Sequence, residues 1–227
     1  MRSFFRDRGL GLAAVTLIMF VISLAQTAIS YTMTVGTLRH FLPGDLFGVV
    51  HTLVVIRFGL VAGMAVLWLA KRRQRQMQVV VIVNAMFTVA LLSHTAALIA
   101  TLFRGASEAI NELMLDVTLM VVSNILIFSI WYWIIDPPGV QEVPRDDVPW
   151  DFLFPQRGSS LPHYESWVPR YTDYLYLAFT TSFAFSPTDT LPLTRRAKML
   201  MLLQSAISVV TLTGIAGGAI NILAGSK

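Results

Sequence analysis

Cysteine is absent from the chain, which excludes a disulfide framework, a thiolate nucleophile and a thiolate-ligated metal. Charge is scarce as well: Asp, Glu, Lys and Arg make up 13% of the 227 residues, against 55% hydrophobic. A soluble domain carries about 25% charged residues, so there are too few here to coat a globule of this size. The mean hydropathy of +0.65 says the same: the apolar excess must face something other than water. Also missing are internal repeats, low-complexity tracts, a Ser/His/Asp spacing for nucleophilic catalysis, phosphate-binding glycine loops and His-x-x-x-His pairs. The chain is therefore not read as an enzyme, and no cofactor is expected. His163 and Glu165 are close in sequence, but two candidate ligands do not complete a metal site. The pI near 9.7 raises the question of nucleic acid. The basic residues, however, fall in short clusters beside apolar runs, which is a pattern of membrane topology and not of a phosphate-binding face. The bilayer, not nucleic acid, is the expected partner.

What the chain does contain is five long apolar runs, about Gly9–Met33, Phe47–Ala70, Met77–Phe103, Ile110–Ile135 and Met199–Leu223. Each meets the roughly 20 residues that a helix needs to cross a hydrocarbon core of about 30 Å. Barrel strands, about ten residues of alternating polarity, do not fit them. The expected fold class is all-α, a polytopic membrane bundle of about five spanning helices with a short re-entrant or interfacial helix before the last. Arg2, Arg6 and Arg8 precede the first run, and Ser23-Leu24-Ala25 resembles a signal-peptidase site. Apolar character continues through Ala28, Ile29 and Tyr31, which favours an uncleaved span over a removed signal.

Lys and Arg in the short loops set the orientation. One side collects ten, Arg2, Arg6, Arg8, Lys71, Arg72, Arg73, Arg75, Arg195, Arg196 and Lys198; the other has three, Arg39, Arg104 and Lys227. This bias places the N-terminus in the cytoplasm and the C-terminus outside. Three regions follow: a four-helix transmembrane part over 1–135, a Pro-rich hydrated linker over 136–170, and a pore-loop-like segment with the last span over 171–227. Seven of the ten prolines lie within Pro137–Pro169, and the aromatics interleaved there, Trp150, Phe152, Phe154 and Trp167, are expected to dip into the interface.

Between linker and last span runs Tyr171-Thr172-Asp173-Tyr174-Leu175-Tyr176-Leu177-Ala178-Phe179-Thr180-Thr181-Ser182-Phe183-Ala184-Phe185-Ser186-Pro187-Thr188-Asp189. It is apolar and aromatic before Ser186, yet too short to span. With Leu191-Pro192-Leu193-Thr194-Arg195-Arg196-Ala197 after it, the unit resembles the pore module of the potassium-channel superfamily. In that likeness Thr180-Thr181 matches the threonine pair ending the pore helix, and Gly214, Gly217 and Gly218 sit where an inner helix packs or hinges. Most of the chain resembles an uncharacterised family of bacterial polytopic inner-membrane proteins, which implies no particular activity. The filter glycines are absent, replaced by Phe183 and Phe185, and the charge bias puts the loop on the cytoplasmic side. The channel resemblance implies a homo-oligomer passing monovalent cations, with Thr180, Thr181, Ser182, Phe183, Phe185, Ser186 and Asp189 as pore-loop candidates. The competing reading of the same stretch is an amphipathic anchor lying in the interface.

Ionisable side chains at membrane depth are costly and mark function by default. Arg57, His94, Asp116 and the amide Gln26 fall at similar depths in the outer half of their spans, counted at 1.5 Å per residue. They form a candidate polar cluster. An Arg57–Asp116 ion pair is expected there, either as a lock between helices or as part of a proton relay through His94 and Asp116. Asn84, Asn124, Gln204 and Asn221 read as interhelical hydrogen bonders. Three functions are thus open: an ion-channel-like pore with a non-standard filter, a non-conducting scaffold or interaction subunit, and a small proton-coupled carrier.

Overall fold

The computed structural model describes residues 9–32, 46–104, 110–136, 150–157, 164, 167–185 and 189–225. Its elements in chain order are α1 (Gly9–Thr32), α2 (Leu46–Leu69), α3 (Arg73–Arg104), α4 (Ile110–Ile135), β1 (Phe152–Leu153), α5 (Tyr171–Ala184), β2 (Leu191–Pro192) and α6 (Arg195–Gly225). Among the described residues no proline falls inside a helix, so no helical hydrogen bond is lost to one there. Among the described residues, five stretches are long and apolar enough to cross a membrane: Gly11–Thr32, Gly48–Leu69, Gln74–Ala100, Met114–Ile135 and Arg195–Gly218. The protein is an all-α polytopic membrane bundle. Its surface agrees, because large apolar side chains such as Leu17, Val55, Val66, Val89, Leu115 and Leu202 point outward, as lipid requires.

The fourth helix is the hub. It packs against α1, α3, α5 and α6, whereas α2 sits at the periphery against α1 and α3. The turn from α2 to α3 is tight because the last carbonyls of α2 are closed locally. Arg72 N–H donates to Leu67 O and Lys71 N–H to Trp68 O, both at 3.0 Å, with Lys71 at φ 54°. That is the Schellman arrangement, here with a lysine in the position usually given to glycine.

The described part of the 136–170 segment is folded, which corrects the expectation of a hydrated linker. Phe152 and Phe154 are buried in protein and not in the interface; they stack edge-on against Tyr132 and Tyr174, at centroid separations of 5.1 and 5.5 Å. Backbone pairing holds them there. Strand β1 runs antiparallel to β2, with Phe152 opposite Pro192 and Leu153 opposite Leu191. A two-stranded ladder tolerates Pro192 because each strand has a free edge.

Helix α5 has 14 residues, about 21 Å at 1.5 Å per residue, short of a crossing. It presents Tyr174, Leu177, Ala178, Thr181 and Ser182 to the bundle, the i, i+3, i+4, i+7, i+8 spacing of one helical face. Its other face exposes Tyr176, Phe179 and Phe183. The buried face thus mixes Tyr174 and Leu177 with the small or polar Ala178, Thr181 and Ser182, while three aromatics turn outward. It starts with a reciprocal cap: Asp173 accepts from Arg170 N–H at 2.6 Å. It ends at Phe185, which takes the left-handed conformation at φ 54°, ψ 19°.

Candidate functional site

Polar side chains follow α1 through the bilayer, each reaching a different neighbour. Gln76 Nε2 donates to Thr16 Oγ1 at 3.2 Å, and Gln26 Nε2 to Phe87 O at 2.8 Å. Ser30 Oγ lies 3.2 Å from His94 Nε2, and Thr32 Oγ1 donates to Asp116 Oδ1 at 2.6 Å. Thr16 to Thr32 is about 24 Å of helix, most of a hydrocarbon core of about 30 Å. Between these contacts lie Ser23 Oγ, Asn84 Oδ1 and Ser123 Oγ, all buried with no hydrogen-bond partner. Helical hydroxyls ordinarily bond back to their own helix, as Thr16, Thr27, Ser30 and Thr95 do here. Ser23 and Ser123 do not.

Arg57 is the costliest member of this file. It stands nine residues into the span that opens at Gly48, about 13 Å deep, with only 5% of its surface exposed. Its Nη1 donates to Gln26 Oε1 at 3.1 Å and its Nη2 to Thr27 Oγ1 at 3.2 Å, while Nε has no partner. The expected Arg57–Asp116 ion pair is not formed: Arg57 is spent on two neutral groups of α1, and Asp116 accepts from Thr32, one and a half turns further along. Geometry explains this, because α2 packs on α1 and α3 and does not share a broad face with α4. Among the described residues the ion pairs are Arg157–Asp136 and Arg196–Asp151. His94 is buried too, and its Nδ1 has no partner. Of the predicted cluster, Gln26 therefore lies on α1, and Arg57, His94 and Asp116 border that helix without all touching one another.

The pore-loop candidates scatter. Thr180 is half-buried, and its hydroxyl bonds back to Tyr176 O. Thr181 and Ser182 are buried inside the protomer. Ser182 Oγ takes a hydrogen bond from Gln204 Nε2 at 2.8 Å, and the same amide nitrogen donates to Ala178 O at 2.7 Å. Gln204 Oε1 in turn accepts from the Tyr132 hydroxyl, so one glutamine of α6 ties α5 to α4. Thr181 Oγ1 is beside Tyr132 but outside hydrogen-bond geometry. Phe183, Phe185 and Asp189 are exposed; Ser186 lies outside the described residues. Of the glycines, Gly214 and Gly218 pack: a Cβ at Gly214 would meet Leu98 Cδ2 at 3.3 Å, and one at Gly218 would meet Met114 Sδ at 2.5 Å. Gly217 faces open space. Helix α6 continues unbroken through all three, and Gly214 and Gly218 serve close packing with α3 and α4.

A second cluster, which the sequence reading did not single out, closes the bundle where α4 ends. Asp136 is fully buried and accepts from Asp151 N–H at 3.0 Å, Phe152 N–H at 3.2 Å, Arg157 Nη2 at 2.8 Å and the Tyr174 hydroxyl at 2.6 Å. Arg157 also donates to Phe152 O at 2.7 Å and stacks 4.8 Å over the Trp150 ring. Asp151, buried likewise, accepts from Arg196 Nε and Nη2 at 2.6 and 2.5 Å and from the Thr194 hydroxyl. Every buried charge here has its partner, so this clasp fastens the 150–157 segment to α4, α5 and α6. Next to it Tyr171 bonds Ser129 Oγ at 2.6 Å; burial pushes its hydroxyl up to about 12, and the Ser129 bond opposes the rise. The available signal was the alternation Trp150-Asp151-Phe152-Leu153-Phe154, a strand-like pattern inside a proline-rich stretch. His163 and Glu165 lie outside the described residues. In comparisons with protein-family models, curated proteins and solved structures, nothing matches the chain.

Proposed function

We propose that this integral membrane protein is a small proton-coupled carrier whose working site is the polar file along α1. The observation that supports this reading is Arg57: a guanidinium buried at membrane depth, held by Gln26 and Thr27 and by no carboxylate among the described residues. A structural lock would pair the charge, because an unpaired one is costly in hydrocarbon. His94 and Asp116, on successive contacts of the same helix, are the groups that can take up and pass a proton. The pore reading asks the Thr180–Asp189 hydroxyls to line an axis between several copies. Thr181 and Ser182 are instead enclosed by their own protomer, which weighs against it. The exposed basic residues Lys71, Arg72, Arg75, Arg195 and Lys198 favour a cytoplasmic position for the clasp end by the positive-inside rule.

The test uses purified protein in liposomes that enclose a pH-sensitive dye, with inward gradients of a panel of neutral, cationic and anionic solutes. At least one solute should shift the internal pH in the wild type and fail to do so in His94→Gln and Asp116→Asn. If no solute moves the internal pH beyond that of empty liposomes, the carrier reading fails and the bundle is a non-conducting scaffold.

A further inference from the structure

The solute class can be read from the unused hydrogen-bonding atoms of the same site, so this step rests on the carrier reading. Arg57 and His94 hang from one turn of α1: Arg57 on Gln26 Oε1 and Thr27 Oγ1, His94 on Ser30 Oγ. Ser30 gives its own proton to Gln26 O at 2.6 Å, so towards His94 it can only accept. The imidazole must therefore carry hydrogen on Nε2, which leaves Nδ1 as a bare, buried lone pair without a partner. Arg57 Nε–H is buried without a partner too. One guanidinium edge is thus left unfilled, and about one turn along the same face of α1 a histidine nitrogen is free to receive a proton.

The partner that satisfies an arginine edge is an acceptor with negative charge. A planar oxyanion does it best, because two oxygens match the parallel N–H groups of the fork. Once Nδ1 is protonated it becomes a second donor, which suits the same acceptor. Among the described residues the charge that bears on His94 is Arg57 on α2; the carboxylate of Asp116 belongs to α4. Gln26 and Ser30 are four residues apart and share one face of α1, so Arg57 and His94 approach the same side, whereas Asp116 meets α1 at Thr32, about 200° round the helix from Ser30. An anion between Arg57 and His94 would complete the balance.

We propose that the site binds a small monocarboxylate together with a proton, the carboxylate on the Arg57 edge and the proton on His94 Nδ1. One negative and one positive charge enter as a pair, so transfer is electroneutral. Coupling is reciprocal: bound anion strengthens proton binding, and acid strengthens anion binding by the same factor.

The experiment is thermal unfolding of the full chain in detergent with sodium formate or acetate, set against sodium sulfate of equal ionic strength, at several pH values. Wild type should gain about 5 °C at saturating formate, with a midpoint that falls by up to about tenfold per pH unit of acidification. Arg57→Gln should lose the formate-specific gain. His94→Gln should keep the gain and lose its pH dependence. Calorimetric titration of formate into the wild type in mildly acidic buffer gives a second readout that does not depend on a variant folding. A formate gain identical in wild type and Arg57→Gln, or no titration heat, overturns the site. A gain that ignores pH overturns the coupling. Should carboxylates fail while another solute still drives a His94-dependent pH change in liposomes, this inference falls and the carrier reading stands.

Discussion

Asp136→Asn tests the clasp most sharply, because it preserves size and removes one charge. In the native site Oδ1 takes the Asp151 and Phe152 amides, and Oδ2 takes Arg157 Nη2 and the Tyr174 hydroxyl. An asparagine amide has one oxygen. Turned either way, its NH2 group faces two donors: the backbone amides, or Arg157 and Tyr174. The Arg157 guanidinium, with 4% of its side chain exposed, also loses its counter-charge. Breaking a buried pair on one side costs about 3–5 kcal/mol. At about 2–4 °C per kcal/mol for a chain of this size, the midpoint should fall by about 10 °C. Arg157→Met should cost less, since Asp136 keeps three neutral donors. The double variant should lose less than the sum of the two, by about 1–3 kcal/mol. Tryptophan fluorescence during heating in detergent reads the site locally, because Trp150 lies 4.8 Å under the guanidinium. An Asp136→Asn midpoint within about 1 °C of wild type, or strictly additive losses, would refute the reasoning.

Three further outcomes follow from the same geometry. Gln204→Leu strands the Tyr132 hydroxyl and frees Ser182; it should destabilise by about 2–3 kcal/mol and raise protease cleavage within α5, and an unchanged cleavage pattern would argue that Gln204 does not tether that helix. Tyr171 has its hydroxyl raised above the ordinary value of 10 to about 12. Its stabilising effect is complete below pH 10 and is lost as pH climbs through 12, on the order of 2 kcal/mol; Tyr171→Phe should flatten the alkaline decline in midpoint, and an identical decline would show that this residue is not its source. Arg57 and Asp116 share no bond, so the stability changes of Arg57→Leu and Asp116→Leu should add in the double variant within about 0.5 kcal/mol, whereas recovery in the double would mean that the two charges compensate each other after all.

The spans were legible because the bilayer imposes a one-dimensional rule. A run of about 20 apolar residues must be helical whatever it packs against, since no water is there to satisfy its backbone. Hence the expected Phe47–Ala70 and the observed Gly48–Leu69 nearly coincide. Depth was counted at 1.5 Å per residue, which grouped Gln26, Arg57, His94 and Asp116 in one layer; their contacts on α1 run from Gln26 to Thr32, about 9 Å of helix. Which of them meet is a matter of azimuth and of helix neighbours, and a linear count carries neither. Only the packing order, with α2 outside and α4 at the hub, gave Arg57 to Gln26 and Thr27 and Asp116 to Thr32. The clasp was hidden more deeply. Asp136, Arg157, Tyr174, Asp151 and Arg196 come from four separate stretches of chain, and each alone reads as a solvated loop charge or a helix end. Their burial exists because the 150–157 segment folds back to pair β1 with β2, excluding water from carboxylates that then require those donors. Composition and periodicity therefore determined that this is a five-span membrane bundle. Tertiary structure alone decided which buried charges are paired and that Arg57 has neutral partners among the described residues.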